Sequence, residues 1–156
     1  MTTEERPETP LERDELTTEF VLEAYVTLAP REKVGGSKYG QRQFVPITGG
    51  KFEGPKLSGE VLSGTDWQVV RADGVIEMDA QYSLRASDGT VIQVRNRGIV
   101  VVPKDARAFS DAYVRTVPEF EAPSDGPHAW LNCAIFLGRL VEFSQSFVRV
   151  RMYKVL

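Results

Sequence analysis

Few residues in this sequence are of a type that does chemistry, and they are scattered along the chain. Among 156 residues there is one histidine, His128, and one cysteine, Cys133. Zinc sites built from these ligand types are therefore excluded, and no metal site is expected. A Ser-His-acid triad would have to use His128, and no serine stands in a nucleophile elbow. His128 follows a Gly-Pro pair and reads as a mouth or surface residue rather than a base. The stretch Gly35-Gly36-Ser37-Lys38-Tyr39-Gly40 lacks the Gly-Lys-Ser/Thr ending of a phosphate loop, and no dinucleotide fingerprint occurs, so no cofactor is expected. What remains is a set of polar groups set among large apolar side chains. Asp79 lies among Met78, Ala80 and Tyr82, Asp66 precedes Trp67, and Asn96 falls on the same side as Ile92 and Val94. Trp130 and Asn132 are two apart, which on a strand gives them a common face. Arg42 opens an apolar run and Arg115 sits inside another.

A carboxyl group whose pKa is raised by burial serves as a general acid or base, and a phenol, amide or guanidinium beside it donates to a developing oxyanion. That equipment suits isomerisation, cyclisation or tautomerisation of a small, partly apolar carbonyl compound. The expected roles are Asp79 as general base, with Asp66 as the other carboxylate considered, and Tyr82 as its catalytic partner. Arg42, Trp67, Asn96, Trp130 and Asn132 are expected to line the ligand pocket. The same residues also suit a non-catalytic small-ligand-binding barrel, with Trp67, Trp130 and Tyr82 as walls and the carboxylates paired structurally. A third reading is a satisfied internal network of Asp–Arg and Asn–backbone pairs, because an unpaired buried polar group costs on the order of 1–3 kcal/mol.

The elements that must position these groups are strands. From Val75 to Arg85 the chain alternates strictly, with Ile76, Met78, Ala80, Tyr82 and Leu84 on one side and Glu77, Asp79, Gln81, Ser83 and Arg85 on the other. Successive strand side chains point to opposite faces, so this is a strand pattern. Ser87-Asp88-Gly89-Thr90 makes a hairpin turn, and a second alternating run follows through Val100. The alternation leaves one question open. If Met78 and Tyr82 point into a barrel, Asp79 faces outward. If Asp79 points inward, the apolar face needs a second subunit to cover it.

Along the rest of the chain, residues 1–17 are rich in Glu, Thr and Pro and read as a disordered or draped arm, with a weakly signalled helical turn over Leu11–Leu16. The arm is acidic and polar, unlike a signal or transit peptide. Residues 18–156 read as one barrel domain. Strands are expected over Phe20–Leu28, Arg42–Ile47, Phe52–Leu62, Trp67–Arg71, the central pair, Tyr113–Phe120, His128–Phe143 and Ser146–Leu156. Ala29–Gln41 is expected to be a loop, Thr48-Gly49-Gly50 to end a strand, and Pro103–Asp111 to form a loop or one short helix. Pro118 suggests a bulge or an edge. Turn signals recur about every ten residues and no long apolar helical stripe appears, which predicts an all-β antiparallel barrel of about eight strands.

Composition agrees with a globular protein: 42% hydrophobic, 26% charged, net charge −3. No basic run supports nucleic-acid binding, and no apolar run is long enough to cross a bilayer. Cys133 lies in the apolar run Leu131–Leu137 and is expected to be a buried, inert thiol in a reducing, cytoplasmic setting. The same run offers apolar side chains to both faces, which predicts a homo-oligomer. The partners expected are a small-molecule ligand and further copies of the chain, with no nucleic acid and no membrane.

Several short motifs are shared with a known family. They are Gly40-Gln41-Arg42, Pro46-Ile47-Thr48-Gly49-Gly50, Phe52-Glu53-Gly54-Pro55, Gly59-Glu60-Val61-Leu62, Asp66-Trp67, Asp79-Ala80-Gln81-Tyr82, Asp88-Gly89, Arg115-Thr116 and Trp130-Leu131-Asn132. In this order and spacing the chain resembles the uncharacterised bacterial and fungal family DUF3237, from about Phe20 to Val155. The resemblance implies an antiparallel β-barrel similar in shape to lipocalin-like and allene-oxide-cyclase-like barrels. It implies no reaction, because the family has no activity established as a class.

Overall fold

A computed structural model describes residues 14–156. Nine strands are present: β1 (Thr18–Leu28), β2 (Glu32–Ser37), β3 (Gly40–Glu53), β4 (Ser58–Val70), β5 (Ile76–Ala86), β6 (Val91–Val101), β7 (Tyr113–Glu121), β8 (Phe136–Phe143) and β9 (Phe147–Val155). They lie in the order β1-β9-β8-β7-β6-β5-β4-β3-β2, and β1 also pairs with β3. That second pairing closes eight antiparallel strands into a barrel and leaves β2 as an extra strand along the outer end of β3, so the expected fold class is correct. Closure removes most of the free edge that an open sheet would expose, and β2 keeps one.

The central hairpin pairs as its alternation predicts, from Ile76↔Val100 to Arg85↔Val91. Gly89 takes φ +88° in the turn, and the Asp88 carboxylate accepts from the Thr90 N–H at 3.0 Å. The structure decides the face that the alternation leaves open. Tyr82, Leu84 and Ala86 are buried in the interior, while Glu77, Gln81 and Arg85 are exposed.

Other elements differ from the sequence reading. The supposed loop over Ala29–Gln41 contains β2, whose glycines hide a strand signal. Thr48-Gly49-Gly50 does not end a strand, because β3 runs through it to Glu53. Gly50 pairs with Val26 at the barrel seam, with φ +135°, and a Cβ there would strike the Tyr25 carbonyl. The glycine that reads as a stop is where β1 and β3 approach to close the barrel. Likewise β4 is continuous where two strands were expected, with an irregular register between Val61 and Gly64. His128–Phe143 is not one strand. Ala129–Cys133 forms a 3₁₀ turn, and only Phe136 onward is extended. Cys133 is exposed at the end of that turn, which corrects the expectation of a buried thiol. A second 3₁₀ turn spans Phe109–Asp111, within the segment read as loop or short helix. The arm expected over residues 1–17 and the turn over Leu11–Leu16 fall mostly outside the described residues. No helix among the described residues is long and apolar enough to cross a membrane.

The two ends of the barrel are filled differently. The lower end carries the Asp88–Gly89 turn and the Ala129–Cys133 turn. Phe52, Leu22, Leu84, Ile92, Leu131, Phe136 and Met152 are almost wholly buried there. Phe120 and Phe136 meet edge to face at 4.9 Å, and Leu131 sits among them as a plug. His128 joins the Asp88 carboxylate at 2.9 Å and so ties the plug to the hairpin turn. The upper end, beyond Ile47, Tyr82 and Val94, has a polar lining.

Candidate functional site

The upper lining follows from register. On β4, Asp66 pairs with Ala80 and Gln68 with Met78, both on the inward side of β5. On β3, Gln43 pairs with Gln68 and Val45 with Asp66. On β6 and β7, Asn96 pairs with Ala80 and Thr116 follows Val114 on the buried side. Alternation therefore turns Gln43, Asp66, Gln68, Asn96 and Thr116 toward the interior near Tyr82.

Three of these side chains form a directed chain. The Gln43 amide donates to Gln68 Oε1 at 2.7 Å, and the Gln68 amide donates to Asp66 Oδ2 at 2.8 Å. The backbone N–H of Asp79 donates to Asp66 Oδ1 at 3.1 Å. Burial pushes the Asp66 carboxyl up to about 6, and these hydrogen bonds only partly oppose it. Among the described residues no Lys or Arg forms an ion pair with Asp66. Burial, and secondarily the Asp66 charge, push the Tyr82 phenol up, so it stays a neutral donor. Among the described residues, Asn96 Oδ1 and Thr116 Oγ1 are buried with no hydrogen-bond partner. Buried polar atoms are rarely left this way, and these two share the inner wall with the raised Asp66 carboxyl.

The expected site residues divide sharply by position. Tyr82 and Asn96 are brought onto the inner wall with Asp66. Asp79 is not. It faces outward, where Arg95 grips both its oxygens at 3.0 and 2.9 Å and holds its carboxyl below the usual range. The carboxyl that lies on the inner wall is Asp66, one strand over. Trp67 pairs with Asp79 on the same outer face and packs on Phe44 at 5.0 Å. Arg42 also lies outside, with its guanidinium over the Tyr39 ring. Trp130 and Asn132 do not share a strand face, because the 3₁₀ turn rotates them apart. Asn132 is structural: its side chain accepts from the Ala122 N–H and donates to the Ala122 carbonyl at 2.8 and 2.9 Å. Trp130 packs on Phe136 and under Lys56, beside a hollow of only about 10 Å³, room for no more than a water.

Gln43, Gln68 and Thr116 were missed by the sequence reading. Each had a signal of the right kind. Gln43 alternates with Val45 and Ile47, and Thr116 with Val114 and Pro118, so each stands on an inward face. Among the described residues no cluster of His, Cys, Asp and Glu could hold a metal ion.

The comparisons with known proteins agree with this architecture. The family described as "Protein of unknown function (DUF3237)" matches residues 16–155. A UPF0311 protein of Clostridium acetobutylicum is 36% identical over 126 residues, covering 74% of this chain and 78% of that protein. A conserved protein of unknown function from Rhodopseudomonas palustris has a crystal structure with TM-score 0.83 and 30% identity, covering 92% of this chain and all of that one. A more distant relative in Penicillium herquei, named hydroalkoxylation enzyme phnH, is 36% identical over 76 residues, 49% of this chain and 51% of that protein.

Proposed function

The chain belongs to the DUF3237 family, and from that premise we propose that its barrel is a cofactor-independent proton-transfer catalyst for a small, partly apolar molecule. The observation that carries this reading is the Asp66 carboxyl. It lies part-buried on the inner wall with no cation partner among the described residues, is pushed up to about 6 by desolvation, and shares that wall with two unpaired polar atoms. Near neutral pH such a group exists in both protonation states and can give a proton at one atom and take it at another. Gln68, oriented by Gln43, holds the carboxylate in place. The Tyr82 phenol, Asn96 and Thr116 are placed to hold a carbonyl or hydroxyl oxygen, the role of an oxyanion donor. This equipment fits isomerisation, tautomerisation or cyclisation of a carbonyl compound. The fungal relative's name adds one more member of that class. Hydroalkoxylation adds an O–H across a C=C bond, so one proton leaves oxygen and one reaches carbon, with no change of oxidation state and no co-reactant.

The test is solvent-deuterium incorporation followed by NMR. The wild-type chain is incubated in heavy water with small enones, β-diketones and alkenyl phenols. We expect incorporation or ring closure above the buffer rate, governed by a group titrating near 6, and a loss of about 100-fold or more in Asp66→Asn. Turnover that survives Asp66→Asn would sink the assignment. Tight binding with no turnover by wild type would instead favour a small-ligand-binding barrel, the second reading, which the same lumen supports.

Assembly belongs to the proposal as well. Val117, Ile135 and Leu137 are exposed on the outer wall near the lower end of β7 and β8. An apolar patch of this kind fits a second copy of the chain. Light scattering at micromolar concentration should give a mass above that of one chain, and a monomer would refute it.

A further inference from the structure

One seam of the barrel is barely stitched. Whereas β5 and β6 pair along their whole length, the register between β7 and β8 among the described residues is the single pair Thr116↔Gly138. Above that pair the strands part, and a groove of about 500 Å³ opens between Phe109–Arg115 and Arg139–Phe143. Its walls include residues of both faces. Val114 and Leu140 belong to the interior, and Arg115 and Arg139 are exposed on the outside.

Two carboxylates line the groove, Asp111 accepting from the Arg107 and Ala108 N–H groups and Glu142 paired with Arg149, while its arginines Arg115 and Arg139 have no such partner among the described residues. Antiparallel pairing at Thr116↔Gly138 sets Arg115 beside Arg139, and Arg139 pairs in turn with Arg151. Among the described residues, none of the three has a carboxylate partner. Arg151 Nε is buried and unpaired, under the Phe20 and Tyr153 rings. Like charges side by side across strands are destabilising, and this chain is net acidic, so the row does not reflect a general basic surface. Below the groove, Thr116 Oγ1 is buried and unpaired opposite Gly138, where a Cβ would strike that oxygen. Phe109 and Phe143 stack at 4.4 Å along the groove's upper side.

We propose that the gap between β7 and β8 is a lateral binding groove for a carboxylate-bearing molecule, whose acid group rests on Arg115 and Arg139 while its apolar body lies against Phe109 and Phe143. Arginine forks match a carboxylate in two parallel hydrogen bonds, and an anion between two guanidiniums removes their repulsion. A groove of about 500 Å³ is the size of a small-molecule site. The inference goes beyond the proton-transfer reading and does not depend on it.

The test uses the full chain with phenylbutyrate and its neutral amide as probes, titrated by NMR up to millimolar concentration at low salt. The acid should bind about tenfold or more tightly than the amide, a preference that added salt erodes. In the double variant Arg115→Gln, Arg139→Gln the acid should fall to the amide's level while the amide is unchanged. Asp66→Asn should keep the acid preference even as turnover is lost, so failure of the catalytic reading and failure of the groove show separately. The proposal is overturned if acid and amide bind alike to wild type, if neither binds, or if the double variant weakens both equally. It is also overturned if the double variant changes only the mass by light scattering, which would make the arginine row a contact between copies.

Discussion

At the lower end of the barrel, Phe52, Leu131, Phe136 and Met152 interlock, and the nearby polar groups are paired: His128 with Asp88, and Asn132 with both backbone atoms of Ala122. At the upper end the same strands turn inward Gln43, Asp66, Gln68, Asn96 and Thr116, with two of their atoms unpaired and one carboxyl held out of its ordinary range. The lower half is built as a core whose polar groups are mostly paired, His128 Nδ1 being the buried exception. The upper half gives up that satisfaction. A fold retains buried polar groups at a stability cost when they do something other than hold it together, so the contrast separates scaffold from site within one sheet.

That contrast can be broken most forcefully from below. Phe136→Ala removes a ring packed against Phe120 and Trp130 and should cost about 3–5 kcal/mol in urea unfolding. A cost under about 1 kcal/mol would mean the lower half is not the stabilising core. The upper half should respond with the opposite sign. The folded-state pKa of Asp66 lies above the unfolded value of 3.8, so the folded state holds the extra proton between pH 4 and 6. The contribution of this group to stability therefore falls as pH rises through that window, and its penalty is complete above about 6. Asp66→Asn removes the charge and should raise stability at pH 7 by on the order of 1–3 kcal/mol, with the gain vanishing toward pH 4. Equal melting temperatures for the two proteins across this range would show that Asp66 is not desolvated. The smallest effect sharpens the difference between the two carboxylates. Asp79→Asn breaks a partly exposed pair with Arg95, whose depressed pKa gives the opposite pH trend, and should cost less than about 1 kcal/mol at neutral pH. That cost should disappear as pH falls below the carboxylate range. Asp79→Asn should also leave turnover unchanged where Asp66→Asn removes it.

The fold was legible because its evidence is local. Strict alternation from Ile76 to Arg85, an Asp-Gly turn and the next alternating run determine two strands, their pairing and their register. The placement of Gly50 was not legible, since a glycine that ends a strand and one that lets two backbones touch look alike in sequence. Nor was the 3₁₀ turn at Ala129–Cys133, whose apolar run fits an extended strand until Leu131 is seen plugging the barrel. For the site, the sequence by itself determined which residues share a face: Asp79 with Glu77 and Gln81, Tyr82 with Met78, Asn96 with Val94. Which face points inward depends on curvature and closure, and these arise only when β1 meets β3. The pairing of Asp79 with Arg95, the chain from Gln43 through Gln68 to Asp66, and the gap above Thr116 and Gly138 each join residues from different strands. Burial and partnership across strands set the pKa of a carboxyl, and the tertiary structure alone decided that Asp66, not Asp79, is the one desolvated.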